Sequence, residues 1–338
     1  MNENKGYNVR FLKHEEYQIW SQFVVRSYYG TIYNSVEHMK SICDALKIQF
    51  DIVGCFDKNN VLIAGIAFGH SRKFGKNYLY NLPITPYCNI VFNERETNLQ
   101  SKKETHHHSV VNELLNFLEA NFSYIKFSFN YRYPDVRPYT WSNYLSKVNY
   151  TYLINLQEDH NPDNYDPSLR RQLKKGYNLP YRITDEVTEK SIYAYYDLHL
   201  KTYRRQGLKT ELPREGFRNY IENVTKNNQG TIYSIEHKGI IISSMVILFD
   251  PDTAYYTLSA TDPEYFSLGL NHVLLDQILT LLKEKKVKYF DFIGANTPSI
   301  SRYKAKYNFK LVPIYSVEKT VGFSMKVLLK LKQLYVRL

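Results

Sequence analysis

The feature that most restricts the fold is an order of elements that occurs twice. Residues 51–56 and 61–68 read as strands around the polar turn Asp57-Lys58-Asn59-Asn60, with a helix near 110–121 and a buried strand at 124–129 further on. In the second half, residues 231–236 and 240–249 read as a hairpin through Lys238-Gly239. A strand at 254–259, a helix from Leu270 to Lys285 and a strand at 288–293 follow. That helix is well marked, with Leu270, Val273, Leu274, Ile278, Leu281 and Leu282 at helical spacing. The two sets lie roughly 170 residues apart, far beyond the ~20–50-residue period of a solenoid. The pattern therefore implies a duplicated α/β unit, each copy a mixed sheet with flanking helices. A chain of 338 residues has the length of two domains. Turn-forming residues concentrate between Gln157 and Pro167, which places the expected join there. The expected division is 1–156, 157–320 and a basic amphipathic tail at 321–338.

Charge narrows the partners. The 44 basic residues exceed the 33 acidic ones, for a net +11, which favours an anionic partner such as a nucleotide diphosphate, tRNA, phospholipid headgroups or a polyanionic glycan. Residues 1–5 lack the apolar core of a signal peptide, and the apolar run 240–249 is broken by Ser243 and Ser244 and too short to span a bilayer. Cys43, Cys55 and Cys88 show no metal spacing, so a reducing cytoplasm is the expected home. His106-His107-His108 sit in a polar segment with no carboxylate at useful spacing, so they read as a loop rather than a metal site. In the tail, Lys326, Lys330, Gln333 and Arg337 form one helical stripe and Val327, Leu331, Leu334 and Leu338 another. Such a helix suits either an anionic membrane face, as a peripheral contact, or a groove of its own protein.

The stretch Val287–Gly294 followed by Ser301–Phe309 speaks most directly to function. It reads as a buried strand ending in an acid and a glycine, then a loop broken by Pro298, then a basic turn of helix. Cations delivered at the end of a buried strand suit an anionic or acyl-bearing substrate. Tyr289, Asp291, Phe292 and Gly294, then Tyr303-Lys304 and Tyr307-Asn308, resemble the C-terminal signature of the Fem-like branch of the GNAT acyltransferase superfamily. Tyrosines replace two phenylalanines, and Asn308 replaces a glycine. Phe23-Val24 with Gly30-Thr31-Ile32-Tyr33, the segment Leu82–Tyr87, and Asp135-Val136-Arg137-Pro138-Tyr139 with Trp141 are similar to motifs earlier in that branch. Tyr150-Thr151-Tyr152 opens its crossing strand, so the likeness covers residues 20–318.

The resemblance implies two tandem GNAT-like acyl-CoA N-acyltransferase folds, with the working cleft formed by the second and walled by the first. It implies transfer of an acyl or aminoacyl group to an amine on a peptidoglycan precursor, a lipid-linked or other anionic acceptor, or a sugar nucleotide. Lys304 is the first candidate, a cation for the negative charge of a tetrahedral intermediate; a solvated basic face with Arg302 and Lys306 is its bland alternative. Asp291 ends a hydrophobic strand, where a carboxylate needs a partner, as a base or in an ion pair with a lysine. Tyr255 and Tyr256 lie on the strand where the acyl donor binds, and alternation lets only one face the cleft; Tyr256 is the candidate. Gly269, Leu270 and Asn271 occupy the start of the helix where coenzyme A pyrophosphate is cradled. Phe266 and Asn271 depart from that pattern, which leaves aminoacyl-tRNA or a differently held acyl-CoA as the donor. Arg137, Trp141, Arg204, Arg205 and Lys306 are the expected acceptor-binding residues, with Arg204 and Arg205 in a loop. The rival reading is a non-catalytic GNAT pair that binds an anionic glycan or nucleic acid.

Overall fold

The computed structural model describes residues 6–205, 207, 209–210 and 212–322. The chain forms two compact units. The first comprises residues up to Cys43, Ile48–Val148 and the described chain from Ile314; the second comprises Asp44–Lys47 and Asn149–Pro313. Both ends of the second unit thus differ from the expected 157–320. The strand that opens at Leu145 runs unbroken to Asn155, so the change of unit falls within it. The turn-rich stretch at 157–167 instead prepares a helix: the Asp166 side chain caps it by accepting from the Ser168 N–H at 2.7 Å, with Pro167 at the first turn. At the other end, residues 316–320 pair with residues of the first unit, so the last strand returns the chain there. Beyond Gly322 the amphipathic tail lies outside the described residues.

In chain order the strands are β1 (Asn8–Phe11), β2 (Gln49–Phe56), β3 (Leu62–Lys73), β4 (Lys76–Tyr80), β5 (Val91–Phe92), β6 (Tyr124–Ser128), β7 (Leu145–Asn155), β8 (Arg182–Thr184), β9 (Gly230–His237), β10 (Ile240–Phe249), β11 (Thr253–Thr261), β12 (Tyr289–Asp291) and β13 (Lys310–Thr320). The helices are α1 (Tyr17–Arg26), α2 (Val36–Leu46), α3 (Gln100–Asn121), α4 (Arg137–Trp141), α5 (Pro167–Tyr177), α6 (Glu189–Arg205), α7 (Arg214–Lys226), α8 (Leu270–Glu284) and α9 (Pro298–Ala305).

One sheet plan occurs in both units. The first orders its strands β1-β2-β3-β4-β6-β13, with β5 beside β3, and only β4 and β6 run parallel among its described pairs. The second orders them β7-β12-β11-β10-β9-β8, with β11 and β12 as the parallel pair. Antiparallel neighbours can be joined by tight turns, whereas a parallel pair needs a crossover. The crossover is α3 in the first unit and α8 in the second. Each helix covers its own core. Val110, Val111, Leu114, Leu115 and Leu118 of α3 are buried in one, and Leu270, Val273, Leu274, Ile278 and Leu282 of α8 in the other. At roughly 1.5–3 kcal/mol for each fully buried aliphatic side chain, these stripes are the main force pinning helix to sheet.

The histidine run is not a loop. It lies inside α3, which begins ten residues before the apolar stripe. The hydroxyls of Thr105 and Ser109 bond back to the carbonyls of Ser101 and Thr105 at 2.7 and 2.8 Å, which absorbs polar side chains into the helix. No helix among the described residues is long and apolar enough to cross a membrane.

Candidate active site

The second unit is opened by the unequal length of two neighbouring strands. β11 and β12 pair through Thr253–Tyr255 and Tyr289–Asp291, and there β12 ends while β11 continues to Thr261. Register with β10 skips Thr257, so a bulge bends β11 just past the last parallel pair. The edge of β11 beyond Tyr255 is left without a strand partner on that side among the described pairs. An acyl chain or peptide can align its own polar groups along such an edge.

The turn after β12 closes one side of this opening, and it is strained. Ile293 and Gly294 both have left-handed backbones, with φ of 48° and 65°. For a β-branched residue this is a true outlier that its surroundings must enforce. Asp291 and Lys304 enforce it from two sides. Asp291 is fully buried; its Oδ1 accepts from the Ile293 N–H at 2.8 Å and from the Thr151 hydroxyl at 2.5 Å. Lys304, 5% exposed, donates to the carbonyls of Phe292 at 2.6 Å, Gly294 at 2.8 Å and Ile293. An ammonium has three protons, and all three are engaged. Its Nζ also stands 5.5 Å from the Tyr256 ring centre and 5.4 Å from that of Phe292. Burial lowers the Lys304 pKa from 10.5 to about 8, with the Asp291 charge pulling it back up.

Two expectations about Lys304 change here. The sequence suggested a cation at a helix start, whereas Lys304 stands in the last turn of α9, and it is buried rather than part of a solvated face. Arg302 beside it is exposed and Lys306 half-buried. The choice between the two tyrosines falls as alternation requires. Tyr255 is buried, and its hydroxyl donates to Asp250 at 2.5 Å, while Tyr256 faces Lys304. Burial, then the neighbouring Tyr303 phenol, holds the Tyr256 phenol well above its usual pKa.

Around these residues lies a set of polar groups whose mutual contacts the sequence did not show. The Asn271 amide donates to the Tyr303 hydroxyl at 3.4 Å. The His272 ring stacks on Tyr303, with centres 5.0 Å apart, and its Nδ1 is 2.8 Å from the Tyr307 hydroxyl. Burial lowers the His272 pKa to about 4. Tyr303 and Tyr307 stood out in the sequence as motif positions and Thr151 only as part of the crossing strand, but nothing marked His272. The glycine after Ile293 was the one visible sign of a left-handed turn.

The start of α8 holds the remaining donor-site candidates. Gly269 caps the helix at φ 70°, and a Cβ there would meet the Gln172 carbonyl of α5 at 3.0 Å. Leu270 is buried in the core, so only its backbone is available, and Asn271 is turned to Tyr303. Cations from two helices surround the preceding turn. Lys175 donates to the Ser267 carbonyl at 2.8 Å, Lys201 pairs with Asp262 at 2.6 Å, and the Arg205 guanidinium lies over the Phe266 ring at 4.6 Å. Arg204 and Arg205 end α6 rather than lying in a loop. Arg137 and Trp141 belong to the first unit. There Arg137 is already matched by Asp135 at 2.9 Å and Glu104 at 3.2 Å and lies over Trp141, which is 63% exposed.

A bent strand diverging from a parallel neighbour, with a crossover helix starting at the opening, is the layout of a GNAT fold. Residues 165–305 match the family described as acetyltransferase (GNAT) domain. The chain has a tandem GNAT fold. It is similar to the crystal structure of FemX at TM-score 0.69 and 10% identity, covering 91% of this chain and 96% of that one. It is also similar to the C-terminal domain of a putative lysylphosphatidylglycerol synthetase from Agrobacterium fabrum, at TM-score 0.56 and 12% identity over 90% and 92% of the chains. A tandem GNAT protein from the clavulanic acid biosynthesis pathway matches at TM-score 0.54 and 12% identity over 94% and 99%. No curated protein sequence matches this chain.

Proposed function

We propose that this protein is an N-acyltransferase of Fem-like type that moves an aminoacyl or acyl group onto an amine of a peptidoglycan precursor or sugar-nucleotide acceptor. The observation that carries the reading is the opening between β11 and β12, with the Lys304 ammonium and the strained 292–294 turn at its edge. In such a transfer the amine attacks the donor carbonyl. A C–N bond forms, the C–O or C–S bond to the carrier breaks, and the amine proton ends on the departing oxygen or sulfur.

Lys304 supports this step by charge and by position. Because its protons are held by backbone carbonyls, it acts from behind the turn, keeping a positive charge near the place where the oxyanion develops. Asp291 completes the clamp by holding the Ile293 N–H. Tyr256, on the same side as Lys304, lines the acyl site and can return a proton to the leaving group. Lys175, Lys201 and Arg205 offer charge to a phosphate-bearing donor near the start of α8. Phe266 stands in the turn where a basic or amide residue accompanies coenzyme A in the GNAT pattern, which favours aminoacyl-tRNA as donor. Arg137 and Trp141 are the first unit's candidates for the acceptor, and a lipid-linked acceptor would bring the protein to the inner membrane face.

The test compares labelled acetyl-CoA with charged tRNA as donors across a panel of amine acceptors. Transfer from charged tRNA that Lys304→Met abolishes is the expected result. Absence of transfer from both donors, together with salt-dependent binding of glycan or nucleic acid, would overturn the enzyme reading in favour of a binding module.

A further inference from the structure

A cavity of about 530 Å³ in the first unit opens beside a group of side chains with no part in the transfer described above. His107 and Asp135 contribute to its wall, and His108 lies beside them. Ligand-type atoms of His107, His108 and Asp135 all lie within 4.8 Å of one another. The Asp135 Oδ2 is 3.1 Å from His108 Nε2 and 3.9 Å from His107 Nδ1. Consecutive helix positions point about 100° apart. The two rings nevertheless converge, because His107 presents the nitrogen near its root and His108 the one at its far end.

We propose that His107, His108 and Asp135 form a binding site for a divalent first-row transition metal, zinc foremost, with its remaining position open to the cavity. Metal–ligand bonds of about 2.0–2.1 Å in a tetrahedral site set neighbouring ligand atoms about 3.3 Å apart. The two distances to the carboxylate, 3.1 and 3.9 Å, bracket that value, and the two ring nitrogens, within 4.8 Å of each other, close by up to about 1.5 Å to take the ion. Two imidazoles with one carboxylate suit zinc or cobalt and do not suit calcium or magnesium, which take oxygen.

The surroundings hold all three ligands in place. His107 stacks on Phe92 with ring centres 4.5 Å apart, and its other nitrogen, Nε2, lies 3.0 Å from the Tyr133 hydroxyl. That hydroxyl is in turn 2.8 Å from the Tyr139 hydroxyl. Trp141 and the His108 ring meet edge to face, with centres 5.0 Å apart. Arg137 fixes the carboxylate, its backbone N–H on Oδ1 at 3.0 Å and its guanidinium on both oxygens at 2.9 Å. Each carboxylate oxygen has two lone pairs, so Oδ2 keeps one for a metal once the His108 hydrogen bond is replaced. An imidazole bound by a hydroxyl on its far side and a carboxylate braced by hydrogen bonds is the usual outer sphere of a metal centre.

The experiment titrates the purified full chain with Zn²⁺ against a chromophoric chelator, and in parallel with Co²⁺ followed by its visible absorption. One ion per chain is expected. His108→Ala and Asp135→Asn should each weaken binding by more than the ~10–100-fold that loss of an outer-sphere partner costs, and Tyr133→Phe by about that range. His106→Ala, which removes a ring directed to the Tyr7 hydroxyl at 3.4 Å, should leave binding unchanged. His108 is the safer variant, since its ring lies near the surface; its circular dichroism melt checks folding. Failure of the wild type to bind either ion overturns the proposal. So does binding that survives both His108→Ala and Asp135→Asn, or binding that His106→Ala weakens as much as they do, as a surface histidine tract would behave.

Discussion

Replacing Lys304 by methionine removes one buried ammonium and leaves the carbonyls of Phe292, Ile293 and Gly294 without their donor. Each buried acceptor left unsatisfied costs about 1–3 kcal/mol, so the three together cost about 6 kcal/mol. Against this stands the cost of burying the charge, which methionine does not incur. The fall in pKa from 10.5 to about 8 places that cost at about 3 kcal/mol. The net expectation is a loss of about 3 kcal/mol at pH 7, measured by urea unfolding of the full chain with a probe in the second unit. The pH dependence supplies an independent check. The native pKa lies below the unfolded one, so between about 8 and 10.5 the unfolded chain holds a proton that the native chain has shed. Wild-type stability from this group therefore rises with pH across that window, by up to about 1.4 kcal/mol per pH unit, and the variant lacks the effect. The gap between the two proteins should widen from about 3 kcal/mol at pH 7 to about 5 at pH 9.5. A gap below about 1 kcal/mol at pH 7, or one that stays flat or narrows as pH rises, refutes the reasoning.

Tyr256→Phe should lower turnover with the preferred donor by roughly 100-fold or more while leaving KM nearly unchanged, if the phenol returns the proton; unchanged turnover would remove it from the mechanism. Gly269→Ala must adopt φ 70° and place a methyl group 3.0 Å from the Gln172 carbonyl. Its unfolding free energy should fall by about 2 kcal/mol or more, against about 1 kcal/mol for Gly75→Ala, which shares the left-handed backbone but meets nothing; equal losses would show that α5 yields freely. The three thiols are buried, with burial pushing Cys55 up to about 12 and Cys88 higher still. A thiol reagent should leave the native protein unmodified at neutral pH and titrate all three after denaturation; rapid native labelling would contradict that burial.

The sequence by itself determined the local elements and their order. Apolar residues at helical spacing put α8 on its core, and Lys238-Gly239 made the β9–β10 hairpin, both residues adopting the positive φ such a turn needs. These features depend on neighbours a few positions apart, so periodicity records them. It also recorded the tandem plan, because each crossover helix carries its own apolar stripe. Only the tertiary structure decided where the chemistry converges. Lys304 sits among charged residues in sequence and looks solvated, yet the turn of α9 buries it against three carbonyls. Asp291 takes its second donor from Thr151, 140 positions away. His107 and His108 meet Asp135 because the chain between them makes an entire strand, β6, before returning. The last strand joins the first unit because its residues 316–320 find hydrogen-bond partners on β6. Pairing and burial between distant segments obey no spacing rule along the chain, because they are settled by which surfaces exclude water together.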